Sequence, residues 1–227
     1  STQNKGDRLL VDLDGDQRLQ ILAVDGLIRE DRAWVENFDL PLERYRGLEH
    51  CDNHLRVGFA ELDLTPGKWS GLIASLASDP MTDLARATSV FQDRDRSLLA
   101  RAARAFPEDS RPSEWIRQLV LAADAFLIER PLAEKQTGAS VIAGYPWFGD
   151  WGRDTMIALP GLTLATGRLS TAQEILATYA RLVDRGMLPN TFPGAGGTPE
   201  YNTVDAALWY IEAWRAYIDA GGDANAL

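Results

Sequence analysis

Cysteine and histidine are nearly missing from this chain of 227 residues, which holds one cysteine and two histidines. The single cysteine, Cys51, excludes a disulfide within the chain and a metal centre built from cysteines. His50 and His54 are spaced to bind one metal ion only on a helix, whereas the alternation of apolar residues around them predicts a strand. We therefore expect neither a metal site nor a cofactor.

Basic residues are also scarce. The chain has 23 lysines and arginines against 33 aspartates and glutamates, and its formal net charge is −10. Binding to nucleic acid depends on clustered positive charge that neutralises phosphates. We therefore expect no nucleic-acid partner, and a neutral or cationic partner fits this composition better.

Long apolar runs are missing as well. The longest, LVLAADAF from Leu119, is short and is interrupted by Asp124. A membrane-spanning helix needs about 20 mostly apolar residues, so we expect no membrane partner. The chain opens at Ser1, without a methionine and without a leader pattern. We expect a cytoplasmic location and a chain that is a piece of a longer one, while the oligomeric state stays open.

Residues 7–75 show the two-residue alternation of half-buried strands. The clearest examples are RLLVDL, RLQILAV and HLRVGFAELDLTPGKW. The stretch DLDGDQ between the first two lacks the spacing and the terminal glutamate of an EF-hand calcium loop, so it is better interpreted as an Asp-Gly hairpin turn. The segment WVENFDLPLERYRGLEH contains Pro41 and is predicted to be an edge or connecting segment.

After SDPMTD the apolar residues recur at helical spacing, which predicts a domain boundary near residue 80. We expect a β-rich domain over residues 1–80 and a helical domain over residues 81–227. Five helices are predicted. The first covers residues 83–105 with a break near Phe91, and the second follows Ser113 and has an apolar face that reaches Leu127. The third covers residues 153–166 and is kinked at Pro160, the fourth covers residues 170–186 and begins with a capping box of Ser170 and Gln173, and the fifth runs from Asn202 or Thr203 to before Gly221.

Two glycine-rich loops are predicted to meet at one end of the helix pair 153–166 and 170–186. The link between these helices is short enough to make them antiparallel, so the loop entering the first and the loop leaving the second share one end. The second loop, GMLPNTFPGAGGTPEYN, is longer than a connector needs, which indicates a function. The candidate residues gathered there are Trp147, Asp150, Trp151, Arg153, Asp154, Asn190, Tyr201, Asn202 and Asp205.

This mixture of flat aromatic rings with carboxylate, amide and guanidinium groups suits a sugar, which presents apolar faces and many hydroxyls. Cleavage of a glycosidic bond further needs two carboxyl groups. The candidates are Asp150, Asp154, Glu200 and Asp205. Each residue alone also has a structural explanation. Tryptophan side chains often pack in a core, aspartates in the first turn of a helix stabilise its dipole, and asparagine is a common helix N-cap. The sequence lacks a nucleophile elbow, a phosphate loop and a dinucleotide fingerprint.

Three stretches, AGYPWFGDWGRDTMIALPGLTLATG, GMLPNTFP and YNTVDAALW, resemble the glucosidase domain of glycogen debranching enzymes, the amylo-α-1,6-glucosidase type found in bacteria and archaea. The likeness covers residues 139–217, and NFDLPLERYRGL upstream resembles the end of the β-rich domain that precedes it. The resemblance implies a mainly α fold, part of an (α/α)6 toroid of six helical hairpins, after the end of a β-sandwich. It also implies a glycogen-like α-glucan as partner and an inverting acid/base hydrolysis of α-1,6-linked glucose stubs.

Carried onto matching positions, the resemblance makes Asp205 the general acid, with Asp154 as its rival. Arg153 and Asp154 resemble the pair that grips the glucose hydroxyls in glucoamylase-like toroids. The residues expected to contact substrate are Trp147, Asp150, Trp151, Arg153, Asn190, Tyr201 and Asn202. Because fewer helices are predicted than six hairpins need, we expect an incomplete toroid whose general base lies beyond Leu227 and a chain without full activity.

Two alternatives remain open at this point. The chain could belong to a non-catalytic sugar-binding or scaffold protein on a helical toroid, which would keep the aromatic residues without catalysis. It could also belong to a related exo-acting glucosidase, glucoamylase-like or trehalase-like, that cuts α-1,4 or trehalose bonds. Substrate comparison separates these, because contacts beyond the first glucose are not visible in the sequence.

Overall fold

A computed structural model of the chain describes residues 2–4, 7–13, 17–106, 112–132, 136–144, 148–191 and 198–226. The chain divides into two compact units, Ser1–Gln92 and Asp93–Leu227. The boundary expected near residue 80 lies 12 residues before this division, which follows Gln92, and it stays a prediction.

Strands dominate the first unit. They are β1 (Thr2–Asn4), β2 (Arg8–Asp12), β3 (Arg18–Val24), β4 (Gly26–Asp39), β5 (Cys51–Leu62) and β6 (Gly71–Ser75), with one short helix, α1 (Pro41–Tyr45), after β4. A four-stranded antiparallel sheet has the order β1-β2-β3-β6, and β4 and β5 form a separate antiparallel pair. Leu9, Leu22 and Ile28 are buried and belong to the core of this unit.

The predicted strands RLLVDL and RLQILAV are confirmed as β2 and β3. They pair antiparallel with Asp12 opposite Arg18, and the N–H of Leu13 donates to the carbonyl of Gln17. This pairing confirms the predicted hairpin, while its residues 14–16 lie outside the described part of the chain. Antiparallel neighbours joined by a short turn are the arrangement that such alternating runs favour.

The long ribbon of β4 and β5 differs in part from the prediction. The segment from Trp34 is the end of β4, which pairs with β5 and contains two register shifts, and α1 begins at Pro41. Proline is tolerated there because the first turn of a helix needs no N–H from it. The predicted strand through Trp69 ends earlier, at Leu62, and residues 63–70 are irregular, with a turn at residues 66–67 in which Gly67 has φ +80°.

Helices and a small sheet form the second unit. The helices are α2 (Leu84–Ala103), which crosses into it from the first unit, α3 (Glu114–Asp124), α4 (Gly152–Leu159), the π-helical segment Pro160–Leu164, α5 (Leu169–Ala180) and α6 (Asp205–Asp219). The strands are β7 (Leu127–Pro131), β8 (Thr137–Gly144) and β9 (Phe148–Asp150).

The expectation of a mainly α fold is not upheld, because helices and strands have similar shares of the described residues. Most strand belongs to the first unit, but β7, β8 and β9 also form an antiparallel sheet inside the region predicted to be helical. Leu127, expected on the apolar face of a helix, instead opens β7. The short length of these strands explains the error, because periodicity cannot separate short apolar runs of the two types.

Several helix limits also differ from the prediction. No break occurs at Phe91 within α2. Ser170 does not cap α5, because the N-cap position is Arg168 and carries no side-chain cap bond. Likewise Asn202 does not cap α6, whose N-cap position is Val204. The end of α5 at Ala180, earlier than residue 186, is followed by a tight turn between Asp184 and Met187.

Other limits are confirmed. The π-helical segment begins at Pro160, the predicted kink, where proline cannot donate the regular helical hydrogen bond. Gly167 ends this helix with φ +72°, a conformation that favours glycine. The last helix ends before Gly221, as expected.

The core of the second unit lies where α4, α5 and α6 pack with β8. Its fully buried side chains include Val141, Leu159, Ile175, Leu176 and Tyr217. The N-terminal end of α4 and the start of α6 are therefore held on one packed body. No helix in the described ranges is long and apolar enough to cross a membrane.

Candidate functional site

The two glycine-rich loops meet in the structure, as predicted. The backbone N–H of Gly152 donates to the carbonyl of Asn190 at 2.9 Å. Trp151 forms an antiparallel bridge with Thr191, which in turn bridges Glu200. These backbone contacts join the loop that enters α4 to the loop that leaves α5.

Gly152 makes this close approach possible. A Cβ atom at this position would lie 1.9 Å from the carbonyl oxygen of Pro189, and any side chain there would displace a backbone. Gly152 is itself buried, and it is the first residue of α4. The lack of a side chain at Gly152 therefore allows the backbones of the two loops to come into contact.

Two of the candidate residues, Arg153 and Asp205, lie next to each other. They are 52 residues apart in sequence, yet Arg153 Nη1 lies 3.4 Å from Asp205 Oδ2. Their side chains are 46% and 44% exposed, so both remain accessible to a ligand. Arg153 belongs to the first turn of α4 and Asp205 opens α6, and the packing of these two helices brings the groups together.

Asp154 borders a cleft that Arg153 and Asp205 do not line. Successive residues are rotated by about 100° around a helix axis, so neighbours in sequence point in different directions. Asp154 borders a cleft of about 280 Å³ whose wall is otherwise apolar. The lining residues include Phe126, Val141, Ile142, Ile157 and Leu162. The two candidate acids thus have different surroundings.

Asp150 is buried rather than presented to solvent. Its two carboxylate oxygens accept hydrogen bonds from Arg130 Nη1 at 2.6 and 2.7 Å. The side chains of Asp150 and Arg130 are 5% and 17% exposed. Direct contact between Asp150 and a sugar would require this ion pair to open.

Asn190 and Tyr201 are held on the second loop in different ways. Asn190 is buried, and its Oδ1 has no hydrogen-bond partner among the described residues. The hydroxyl of Tyr201 donates to the carbonyl of Leu182 at 2.7 Å. Burial, followed by the charge of Asp184, raises the pKa of the Tyr201 phenol, so this hydroxyl stays a neutral donor at ordinary pH.

The remaining candidates take ordinary positions. Trp151 is half-buried and occupies the extended N-cap position of α4. Asn202 is exposed, and Trp147 lies outside the described residues. Trp209, one turn after Asp205 on α6, is partly exposed. No cluster of three or more potential metal ligands occurs in the described ranges.

A buried polar cluster beneath the site was missed by sequence reasoning. The hydroxyl of Tyr179 on α5 lies 3.0 Å from Ser140 Oγ and 3.1 Å from Thr155 Oγ1. Thr155 belongs to α4 and also donates to the carbonyl of Val141 on β8. Burial, and then the nearby negative charge of Asp150, raises the pKa of Tyr179 to about 12. Arg130 was missed as well, because its contact with Asp150 depends on a sheet that the sequence did not predict.

Comparison with known families finds matches in both parts of the chain. The family described as amylo-alpha-1,6-glucosidase matches residues 121–227, and the family described as glycogen debranching enzyme N terminal matches residues 1–70. The glycogen debranching enzyme of Saccharomyces cerevisiae is 37% identical over 84 residues. That alignment covers 35% of this chain and 5% of the yeast protein. No solved structure matches this chain significantly.

Proposed function

Because this chain belongs to the glycogen debranching enzyme family, we propose that it carries part of the site of a glycoside hydrolase that removes α-1,6-linked glucose. The substrate would be the branch stub of a glycogen-like α-glucan. The reaction would be an inverting hydrolysis, in which one carboxyl group protonates the leaving oxygen and another activates water. An (α/α)6 toroid of the bacterial and archaeal type is part of the same proposal.

The pairing of Arg153 with Asp205 carries this proposal. A guanidinium and a carboxylate 3.4 Å apart, both half exposed, present donors and acceptors side by side. Sugar hydroxyls both donate and accept, so one hydroxyl can bridge such a pair. A purely structural ion pair would gain little from its exposure, since exposed pairs stabilise a fold by about 0–1 kcal/mol.

In this proposal Asp205 is the general acid, and Arg153 binds the hydroxyls of the terminal glucose. Asp154 is the alternative acid, because it borders a cleft whose other lining residues are apolar. An inverting reaction also needs a second carboxylate about 6.5–9.5 Å from the acid, with room for water between them. The residues that would line the sugar pocket are Trp147, Trp151, Asn190, Tyr201 and Asn202.

The direct test is glucose release from a branched limit dextrin by the complete gene product that contains these residues. We expect Asp205→Asn to lower kcat by about 10²–10⁴, the usual contribution of general acid catalysis, with a smaller change in KM. Asp154→Asn tests the rival acid in the same assay. The matched control is Asp219→Asn, an exposed carboxylate at the other end of α6, which should leave kcat unchanged.

The same assay separates the other candidate functions. A protein that binds the dextrin without releasing glucose would be a sugar-binding protein. Faster release from linear maltooligosaccharides or trehalose than from the α-1,6 stub would identify a different exo-acting glucosidase. Unchanged kcat in Asp205→Asn would remove Asp205 from the role of acid.

A further inference from the structure

We propose that Arg130 is a positioning residue, which holds the segment that presents Arg153 by clamping the carboxylate of Asp150. This inference rests on the proposed function for its catalytic meaning. Neither residue reaches the surface enough to act as a ligand contact, since their side chains are 17% and 5% exposed. Their pairing therefore calls for another explanation.

The geometry joins two strands that are not neighbours. Arg130 on β7 lies opposite Gly138 of β8, and Asp150 on β9 lies opposite Ile142 of β8. Residues 138, 140 and 142 share one face of the sheet, so the Arg130 side chain crosses β8 on this face to reach Asp150. One guanidinium nitrogen contacts both carboxylate oxygens, at 2.6 and 2.7 Å. The pair ties β9 to the body of the sheet, since the described residues of β9 form two registered pairings with β8.

The held segment is the one that carries the site. Three residues after Asp150, Arg153 extends toward Asp205, and Gly152 between them is fixed to Asn190. Thr155, further along α4, is fixed by Tyr179. The Arg130–Asp150 pair thus secures the N-terminal side of a short segment that is held by hydrogen bonds at its middle and its C-terminal side.

Positioning matters because the contacts that a sugar makes are directional. A displacement of about 1 Å caused by a change away from the reacting atoms can lower a rate about 10²-fold. If β9 lost its tie, the turn through Trp151 would gain freedom, and Arg153 would spend less time in the geometry that pairs with Asp205. A purely structural ion pair has no such effect, which makes the two roles separable.

The test uses a double variant, Arg130→Met/Asp150→Leu, in the complete gene product. Replacing both members of a buried ion pair by apolar residues of similar size often leaves stability unchanged. We expect the unfolding midpoint to stay near that of the wild type. Amide hydrogen exchange in residues 148–155 should become roughly tenfold faster, and kcat/KM for limit dextrin should fall roughly 10- to 100-fold.

Two further variants complete the design. Arg130→Lys keeps the charge but replaces the rigid guanidinium by an ammonium on a flexible stem, so it should give the same changes at smaller size, even if the double variant folds poorly. Arg215→Ala/Asp219→Ala removes an exposed ion pair on α6 and should change neither exchange nor kcat/KM.

Each outcome decides one proposal. A stable double variant with unchanged exchange and unchanged kcat/KM overturns the positioning role, and so does faster exchange with unchanged kcat/KM. Unaltered exchange and kcat/KM in Arg130→Lys count against it as well. Failure of the wild-type protein to release glucose counts against the proposed function alone, because the exchange rates still report whether Arg130 holds the segment.

Discussion

The N–H of Gly152 donates to the carbonyl of Asn190 at 2.9 Å, which locks the start of α4 to the loop that follows α5. Pro189, the residue before Asn190, places its carbonyl oxygen where a Cβ of Gly152 would stand, 1.9 Å away. The two loops approach as closely as backbones allow. The position of every candidate residue between 150 and 154 depends on this contact.

We therefore expect Gly152→Ala to destabilise the protein strongly. The neighbour that must move is a backbone carbonyl rather than a flexible side chain, so the decrease in the free energy of unfolding should reach at least about 2–3 kcal/mol. Gly149→Ala is the matched control, because a Cβ on Gly149 meets nothing within 4 Å. Urea unfolding of both variants measures the difference. Equal stability of the two variants would show that the loops tolerate separation.

Arg153→Gln tests the sugar-binding role proposed for Arg153. A hydrogen bond to a charged group contributes about 1.5–3 kcal/mol, so the KM for limit dextrin in the complete gene product should rise about 10- to 100-fold. Stability should change little, because the Arg153 side chain is 46% exposed. Arg215→Gln, on the exposed surface of α6, serves as control. An unaltered KM in Arg153→Gln would exclude Arg153 from the substrate site.

The raised pKa of Tyr179 predicts that the protein loses stability at high pH. Its folded-state pKa is about 12, above the ordinary value of 10.0. As the pH rises, Tyr179 loses its proton in the unfolded chain before it does so in the folded chain. Its contribution to the free energy of unfolding is therefore complete below pH 10 and decreases toward pH 12, by up to about 3 kcal/mol.

Tyr179→Phe should remove this decrease between pH 10 and 12. At pH 8 the variant should be less stable by about 1–2 kcal/mol, because the hydrogen bonds with Ser140 and Thr155 are lost. Tyr45→Phe is the control, since Tyr45 is 90% exposed, and its pH profile should match the wild type. A Tyr179→Phe profile as steep as that of the wild type would contradict the assignment.

A second buried ion pair predicts the effect of Asp124→Asn. The Asp124 carboxylate accepts hydrogen bonds from Arg94 and, at 2.7 Å, from Arg168, whose side chain is 4% exposed. Burial, followed by the charges of Arg101 and Arg94, lowers the pKa of the Arg168 guanidinium. Without the carboxylate this buried cation would lack its counter-charge, so we expect the free energy of unfolding to decrease by about 3–5 kcal/mol.

Thermal unfolding checks this expectation against Asp219→Asn, where an exposed carboxylate is removed. Exposed ion pairs contribute about 0–1 kcal/mol, so the control should unfold near the wild-type temperature. Similar midpoints for the two variants would mean that Arg168 finds compensation elsewhere.

Local sequence patterns determined the strands β2 and β3, the hairpin between them, the helix irregularity at Pro160 and the end of the helix before Gly167. These features depend on side chains and on backbone freedom within a few residues, which a sequence states directly. The meeting of the two loops was also predictable, because the link before Leu169 is too short for any arrangement other than an antiparallel pair.

Only the tertiary structure decided which candidate residues face each other. Arg153 meets Asp205, Asp154 borders an apolar cleft that the other two do not line, and Asp150 is buried against Arg130. These outcomes depend on the pairing of β7, β8 and β9 and on the rotation of α4 about its axis. Strand pairing and helix rotation are set by contacts between residues that are distant in sequence, so no local pattern records them.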